Sequence, residues 1–198
     1  LINNNLFFLN TSGEFYSINY LSQKINWVLN FKNPSLIGDT ELFLSQPIVL
    51  KNNNIIISTE KAILSYDTAT GSKNWDLFAE TIVKPIVTMN YTYMILKNDL
   101  LICLDNIKGN VVWSKNIFRE IEAGEKIKKK FGSISDFKIV NSEINIYSKN
   151  GYLLSFNFSN GNLVYQKRIN KNGIQSKIIF LNDNMFFVDN DNKLLKFN

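Results

Sequence analysis

Four stretches of this chain align with one another without a gap, and their spacing restricts it to very few architectures. They are Phe15-Tyr-Ser-Ile-Asn19 leading to Trp27, Ile63-Leu-Ser-Tyr-Asp67 to Trp75, Leu101-Ile-Cys-Leu-Asp105 to Trp113, and Leu153-Leu-Ser-Phe-Asn157 to Tyr165. Each aromatic follows its Asp or Asn by eight residues. Glycine stands midway in three copies, at Gly71, Gly109 and Gly161, and Gln23 takes that place in the first. A fifth copy, Leu194-Leu-Lys-Phe-Asn198, reaches only the Asp/Asn position. Self-similarity at periods of 20–50 residues means a solenoid, a propeller or an array.

The chemistry of the spacing is that of a β-hairpin. The run before Asp/Asn is rich in β-branched and aromatic residues, as strands are. The Asp or Asn side chain can accept a backbone N–H two residues on and so start a turn. Glycine supplies the positive φ of a bulged hairpin loop. Upstream lie two shorter strands. One is Gln46-Pro-Ile-Val-Leu50, matched by Lys84-Pro-Ile-Val-Thr88, with Phe137 and Ile178 at the same offset in later copies. The other is Leu6–Leu9, Ile55–Ile57, Tyr93–Leu96, Ile144–Tyr147 or Met185–Val188. Each unit is thus four antiparallel strands, A to D in chain order, which makes it a propeller blade. The expectation is an all-β propeller arc of four-stranded antiparallel blades, three complete and two partial. Its blades fall at about 1–31 (partial), 46–79, 84–118, 135–169 and 176–198 (partial). The repeated aromatics read as blade-to-blade packing, since ligand-stacking sites are rarely repeated so regularly.

The first unit begins at strand B and the last lacks strand D, so the chain is expected to be part of a protein longer at its N-terminus. The Leu1-Ile-Asn-Asn-Asn start shows no basic n-region. From Asp67 to Asp105 the period is 38 residues, but Asn19 to Asp67 is 48 and Asp105 to Asn157 is 52. Both insertions fall between strand D and the next strand A, at Phe31–Ser45 and Phe118–Gly132, on the rim that a meander shares between its D–A and B–C connections. Long loops in compact domains are usually functional or disordered. In the first insertion Leu36, Ile37, Leu42 and Phe43, with Asp39 and Glu41 among them, either fold down on the blade or dock a partner. The second carries Lys126, Lys128, Lys129 and Lys130 after an acidic half. A solvated loop or short surface helix is the preferred reading, and a contact with an acidic partner or anionic headgroups the alternative.

Composition removes several chemistries. There is no histidine, which rules out His-based acid–base catalysis, Ser-His-Asp and Cys-His systems and His metal sites together. The single cysteine, Cys103, lies in an apolar strand and reads as a buried, inert thiol. A net charge of +5 is spread along the chain instead of being gathered as nucleic-acid binders gather it. No apolar stretch approaches the ~20 residues that span a bilayer. Asparagine, at 30 residues, reads as compositional bias, and the sequons at Asn10, Asn90 and Asn157 as its by-product.

Tyr66-Asp-Thr-Ala-Thr-Gly-Ser-Lys-Asn-Trp75 and Leu104-Asp-Asn-Ile-Lys-Gly-Asn-Val-Val-Trp113 resemble the PQQ-like propeller repeat. Within that superfamily the chain resembles the C-terminal half of the BamB family of outer-membrane assembly lipoproteins. The residues that carry this are Asn172-Gly-Ile-Gln-Ser176 with the closing Lys193–Asn198, the Phe131–Phe137 segment, and the longer loop before Pro47. The resemblance implies part of an eight-bladed propeller serving as a periplasmic, non-catalytic scaffold at the inner face of the outer membrane. It would touch the membrane only through a lipid anchor outside this chain, and would dock onto the periplasmic domains of the BamA barrel-assembly protein. No cofactor, metal or nucleic acid is expected. The partner-contacting loop of that family corresponds to the one ending at Gln46, where Leu42 and Leu44 stand. The rival readings are a PQQ-dependent dehydrogenase, which needs a Ca²⁺ site and a catalytic Asp, and a PQQ-like repeat protein with another partner.

Overall fold

The computed structural model describes residues 4–31, 42–119, 121 and 124–197. Strands follow one another in five meandering sheets with no crossover among the described residues. The sheets are propeller blades: three have four strands and two have three. They fall into two compact units, Leu1–Tyr91 with Asp105–Asn110, and Thr92–Leu104 with Val111–Asn198.

The first unit holds the three-stranded sheet β1 (Asn5–Leu9), β2 (Glu14–Asn19), β3 (Lys24–Asn30), which are strands B, C and D. It also holds β4 (Val49–Lys51), β5 (Asn54–Ser58), β6 (Ile63–Asp67) and β7 (Lys73–Leu77). The third sheet is β8 (Ile86–Val87), β9 (Tyr91–Ile95), β10 (Leu100–Asp105) and β11 (Val111–Asn116). In the second unit follow α1 (Gly124–Phe131), then β12 (Ile134–Val140), β13 (Glu143–Ser148), β14 (Tyr152–Asn157) and β15 (Leu163–Arg168). The last sheet, strands A, B and C, is β16 (Ile179–Leu181), β17 (Asn184–Val188) and β18 (Leu194–Phe197).

Strand B is the most deeply buried of each full blade. Ile55, Ile56 and Ile57 are all buried, as are Ile144, Ile146 and Tyr147, so both faces of these strands are covered. That is why they read as continuous apolar runs and not as an alternation. Strand A is shorter than its sequence suggests, because Pro47 and Pro85 have no N–H to give a ladder. Pairing resumes before Pro47, where Gln46 N–H donates to Ser58 O at 2.8 Å.

The C–D hairpins share one construction. The aromatic lies opposite a small residue in every copy: Trp27 opposite Ser17, Trp75 opposite Ser65, Trp113 opposite Cys103, Tyr165 opposite Ser155. One step further each ladder shifts by a residue, at a β-bulge. The four small residues are buried, Cys103 among them.

The aromatic then lies under the C–D turn of the following sheet. A Cβ on Gly71 would stand 2.8 Å from Trp27 Cδ2, one on Gly109 2.5 Å from Trp75 Cγ, and one on Gly161 2.6 Å from Trp113 Cε3. All three glycines have φ near +70°. Trp27 Nε1 donates to Thr68 O at 3.2 Å and Trp75 Nε1 to Asn106 O at 3.1 Å, tying each indole to the turn above it. Trp113 is turned so that its six-membered ring lies under Gly161, and Nε1 has no acceptor among the described residues.

Many asparagines turn out to be turn residues. Asn141 and Ser142, and likewise Asn182 and Asp183, have consecutive positive φ values between the paired strands A and B. This is the backbone of a two-residue primed hairpin turn, for which Asn and Asp are among the least strained non-glycine residues. At these positions asparagine serves the turn.

In the second unit Asp136 stands just before the Pro-equivalent Phe137 and joins two sheets. Its Oδ2 accepts the buried Ile178 N–H at 3.0 Å, and Lys138 Nζ lies 3.3 Å from the same oxygen. Beyond it, Tyr147 and Leu153 pack against Ile174, Ile178 and Phe187.

Gly109→Ala forces an L side chain into both a left-handed backbone and an occupied space. It should destabilise the fold by on the order of 2–4 kcal/mol, read from urea unfolding. Asp136→Ala leaves Ile178 N–H buried without an acceptor and should cost about 1–3 kcal/mol in the same measurement.

Candidate binding surfaces

The repeated Asp and Asn residues do not converge on a site. Each serves its own turn. Asp67 Oδ1 accepts Ala69 N–H at 2.9 Å and Thr70 N–H at 2.8 Å, and Asn19 does the same with Leu21 and Ser22. Asp105 accepts Ile107, Lys108 and Asn110 N–H, and Asn157 accepts Ser159 and Asn160 N–H. The Thr70 N–H bond is the main cause holding the Asp67 carboxyl below the usual carboxylate value, against a smaller opposing effect of burial. Gln23 adopts φ +56°, the left-handed turn that glycine supplies in the other copies. Asn198, the Asp/Asn position of the fifth copy, lies outside the described residues. No three acidic, histidine or cysteine side chains among the described residues gather as a metal site would require.

In the first insertion Leu36, Ile37, Asp39 and Glu41 lie outside the described residues. Its final part is anchored at one point. Phe43 donates its N–H to Thr11 O at 2.8 Å, and its ring stacks on Phe31 at 5.9 Å, which in turn meets Tyr66 at 5.5 Å. Leu42 and Leu44, on either side, are 65% and 55% exposed. They border an open cavity of about 260 Å³, whose floor is Phe31 and Leu64 and whose wall is the Thr59–Ala62 turn. One residue of the trio folds down and its two neighbours face outward.

In the second insertion α1 places Phe131 inward, fully buried, edge-on to Phe118 at 5.6 Å. Its four lysines divide. Lys128 Nζ bonds Asp99 Oδ2 and lies 5.9 Å from the Phe118 ring centroid, and Asp99 raises its ammonium above the ordinary lysine value. Lys126, Lys129 and Lys130 are exposed. Beside Lys130 the structure brings in Arg168 and Lys171, which no sequence motif marks, with Asn150, Asn172 and Asn190, around a cavity of about 490 Å³. Their one signal in sequence is the pair of Asn-Gly steps at Asn150-Gly151 and Asn172-Gly173, which mark turns.

A larger cleft, about 870 Å³, separates the β12–β15 face from the last sheet. Tyr165, the fourth aromatic of the repeat, lies on its wall and is 37% exposed. Asn145 and Tyr147 line it as well, and the Asn145 Oδ1 atom has no hydrogen-bond partner among the described residues. Burial pushes the Tyr147 hydroxyl well above the usual tyrosine value.

Residues 1–115 match the model of the family described as outer membrane protein assembly factor BamB. No curated protein matches the chain significantly. Among solved structures it is similar to BamB from Moraxella catarrhalis, at 17% identity and a TM-score of 0.67, over 98% of this chain and 58% of that one. It is also similar to the computationally designed Ika8 protein, at 10% identity and a TM-score of 0.70, over 100% of this chain and 56% of that one. A third likeness, again 10% identical with a TM-score of 0.70, is to KlHsv2 with loop 6CD replaced by a Gly-Ser linker, over 100% of this chain and 62% of that one. The chain therefore spans less than two thirds of these relatives, and at such identities the likeness is one of fold.

The Asp67 turn gives a pH-dependent contribution to stability. Because the folded carboxyl titrates below the ordinary value of 3.8, its stabilisation is complete above that value and lost as pH falls through the lower, folded one. Wild type should unfold at higher urea than Asp67→Asn at neutral pH, and the gap should close in acid.

Proposed function

The chain belongs to the family of the outer membrane protein assembly factor BamB, and on that footing we propose that it is a non-catalytic propeller scaffold in the assembly of outer-membrane β-barrel proteins. The observation that carries this reading is the pair Leu42 and Leu44, inside the family-matched stretch, held outward on either side of the pinned Phe43. Two adjacent apolar side chains on a fixed backbone lose little freedom when a partner covers them. Burying each contributes roughly 1.5–3 kcal/mol. Small clusters of this kind dominate the energy of protein interfaces.

The partner that fits the family is the periplasmic portion of the BamA barrel-assembly protein. The place is the inner face of the outer membrane. The sheets do no chemistry in this reading. Their work is to hold the rim loops at fixed positions.

The double variant Leu42→Asp/Leu44→Asp should bind immobilised BamA periplasmic domains at least about a hundredfold more weakly than wild type, the loss expected for two buried apolar anchors. Removal of residues 32–45 should abolish retention. Undiminished binding by both variants would sink the proposal, as would a full-length protein that binds PQQ and Ca²⁺ and reduces a dye with alcohols or sugars.

A further inference from the structure

The cavity beside Lys130 has the make-up of an anion site, and we propose that it binds the phosphate of a phosphorylated organic group. Four chain segments of the second unit meet there: the C-terminal end of α1, the β13–β14 turn, the 169–175 loop and the β17–β18 turn. They bring Lys130, Arg168 and Lys171 around one space of about 490 Å³, with the amides of Asn150, Asn172 and Asn190 between them. None of the residues lining it is acidic.

The segments approach this closely because glycine stands at the crossings. A side chain at Gly173 would run into Asn190 Nδ2 and Lys149 O, and one at Gly132 would stand 2.6 Å from Asn150 Nδ2. Several of the polar groups are already held in place. The Arg168 guanidinium lies 5.3 Å from the Tyr152 ring centroid and donates from Nη2 to Lys171 O at 2.9 Å. Asn150 Nδ2 donates to Lys130 O at 3.0 Å, and Asn172 Nδ2 to Asp191 Oδ2 at 2.7 Å. The neighbouring Asp189 serves its own hairpin with Oδ1, which accepts Asp191 and Lys193 N–H at 2.9 Å, while its Oδ2 accepts from Asn172 Nδ2 at 3.5 Å.

A guanidinium carries five N–H donors in a planar fork, so most of the Arg168 set is left for a ligand after the bond to Lys171. Arginine with lysines is the usual combination for phosphate, whose oxygens accept from several directions at once. A carboxylate offers two oxygens in one plane and would engage fewer of the segments. The space is of the size that holds an organic ligand, about 300–1,000 Å³, so the phosphate is expected to come attached to a headgroup and not as a bare ion. None of this depends on the scaffold reading of the first unit.

The full chain would be titrated with glycerol 3-phosphate and with inorganic phosphate, followed by ³¹P NMR. It would also be co-sedimented with phosphatidylcholine vesicles with and without phosphatidylglycerol. Saturable binding of glycerol 3-phosphate or retention on phosphatidylglycerol vesicles, declining with added salt, supports the site. The first result alone indicates a soluble phosphorylated compound and the second a lipid headgroup. Lys171→Gln keeps the backbone carbonyl that holds Arg168 and should weaken binding about tenfold, the usual effect of losing one charge-assisted contact. Lys130→Gln should act alike, while Lys196→Gln, outside the cavity, should change nothing. The proposal is overturned if neither probe binds, if only inorganic phosphate binds, or if Lys196→Gln weakens binding as much as the cavity variants. Thermal melts of the three variants establish that each is folded.

Discussion

An indole pressed against a glycine in the next sheet is the contact on which the blades depend. For Trp27 to reach Gly71, the ladder must place it opposite a residue as small as Ser17, and the bulge must follow at the next step. The turn above it must also bend at a residue with positive φ and no side chain. Asp67 fixes that turn by accepting Ala69 and Thr70 N–H, so the carboxylate, the glycine and the indole of the previous sheet form one mechanism. The spacing between Asp and aromatic is invariant because a change of one residue would turn the ring to the opposite face.

The same interlock explains how much of the fold was legible in the sequence. Hairpins, blade phase and the positions of both insertions follow from residues that act over a few positions. What escaped notice acts over tens of residues. Asp136 was visible only as the residue before a missing proline, although it grips the backbone 42 positions away. Lys128 looked equivalent to its neighbours until Asp99, 29 positions earlier, proved to hold it. Arg168 and Lys171 come from a different blade connection than Lys130, and no spacing rule joins them. Asn141 and Asn182 sit where the backbone needs a residue that tolerates the left-handed region.

Rigid sheets and specialised connections divide the work. The buried B strands give each blade a covered interior, and the rim segments project from it with side chains of opposite character. Leu42 and Leu44 present hydrocarbon on one, while Lys130, Arg168 and Lys171 present charge on another. Both depend on anchors beneath them: Phe43 on Phe31 in the first case, and Arg168 on Tyr152 in the second. A loop built this way keeps its shape before a ligand arrives, so less ordering entropy opposes binding.

Gln23 gives the repeat a direction. Sheets two, three and four each offer a bare turn to the aromatic of the sheet before, at Gly71, Gly109 and Gly161. The first sheet bends its turn the same way, at φ +56°, yet carries a glutamine where the others carry glycine. It can therefore give an indole but cannot receive one in that pose. The series runs one way along the chain, each sheet's aromatic reaching forward to the turn of the next.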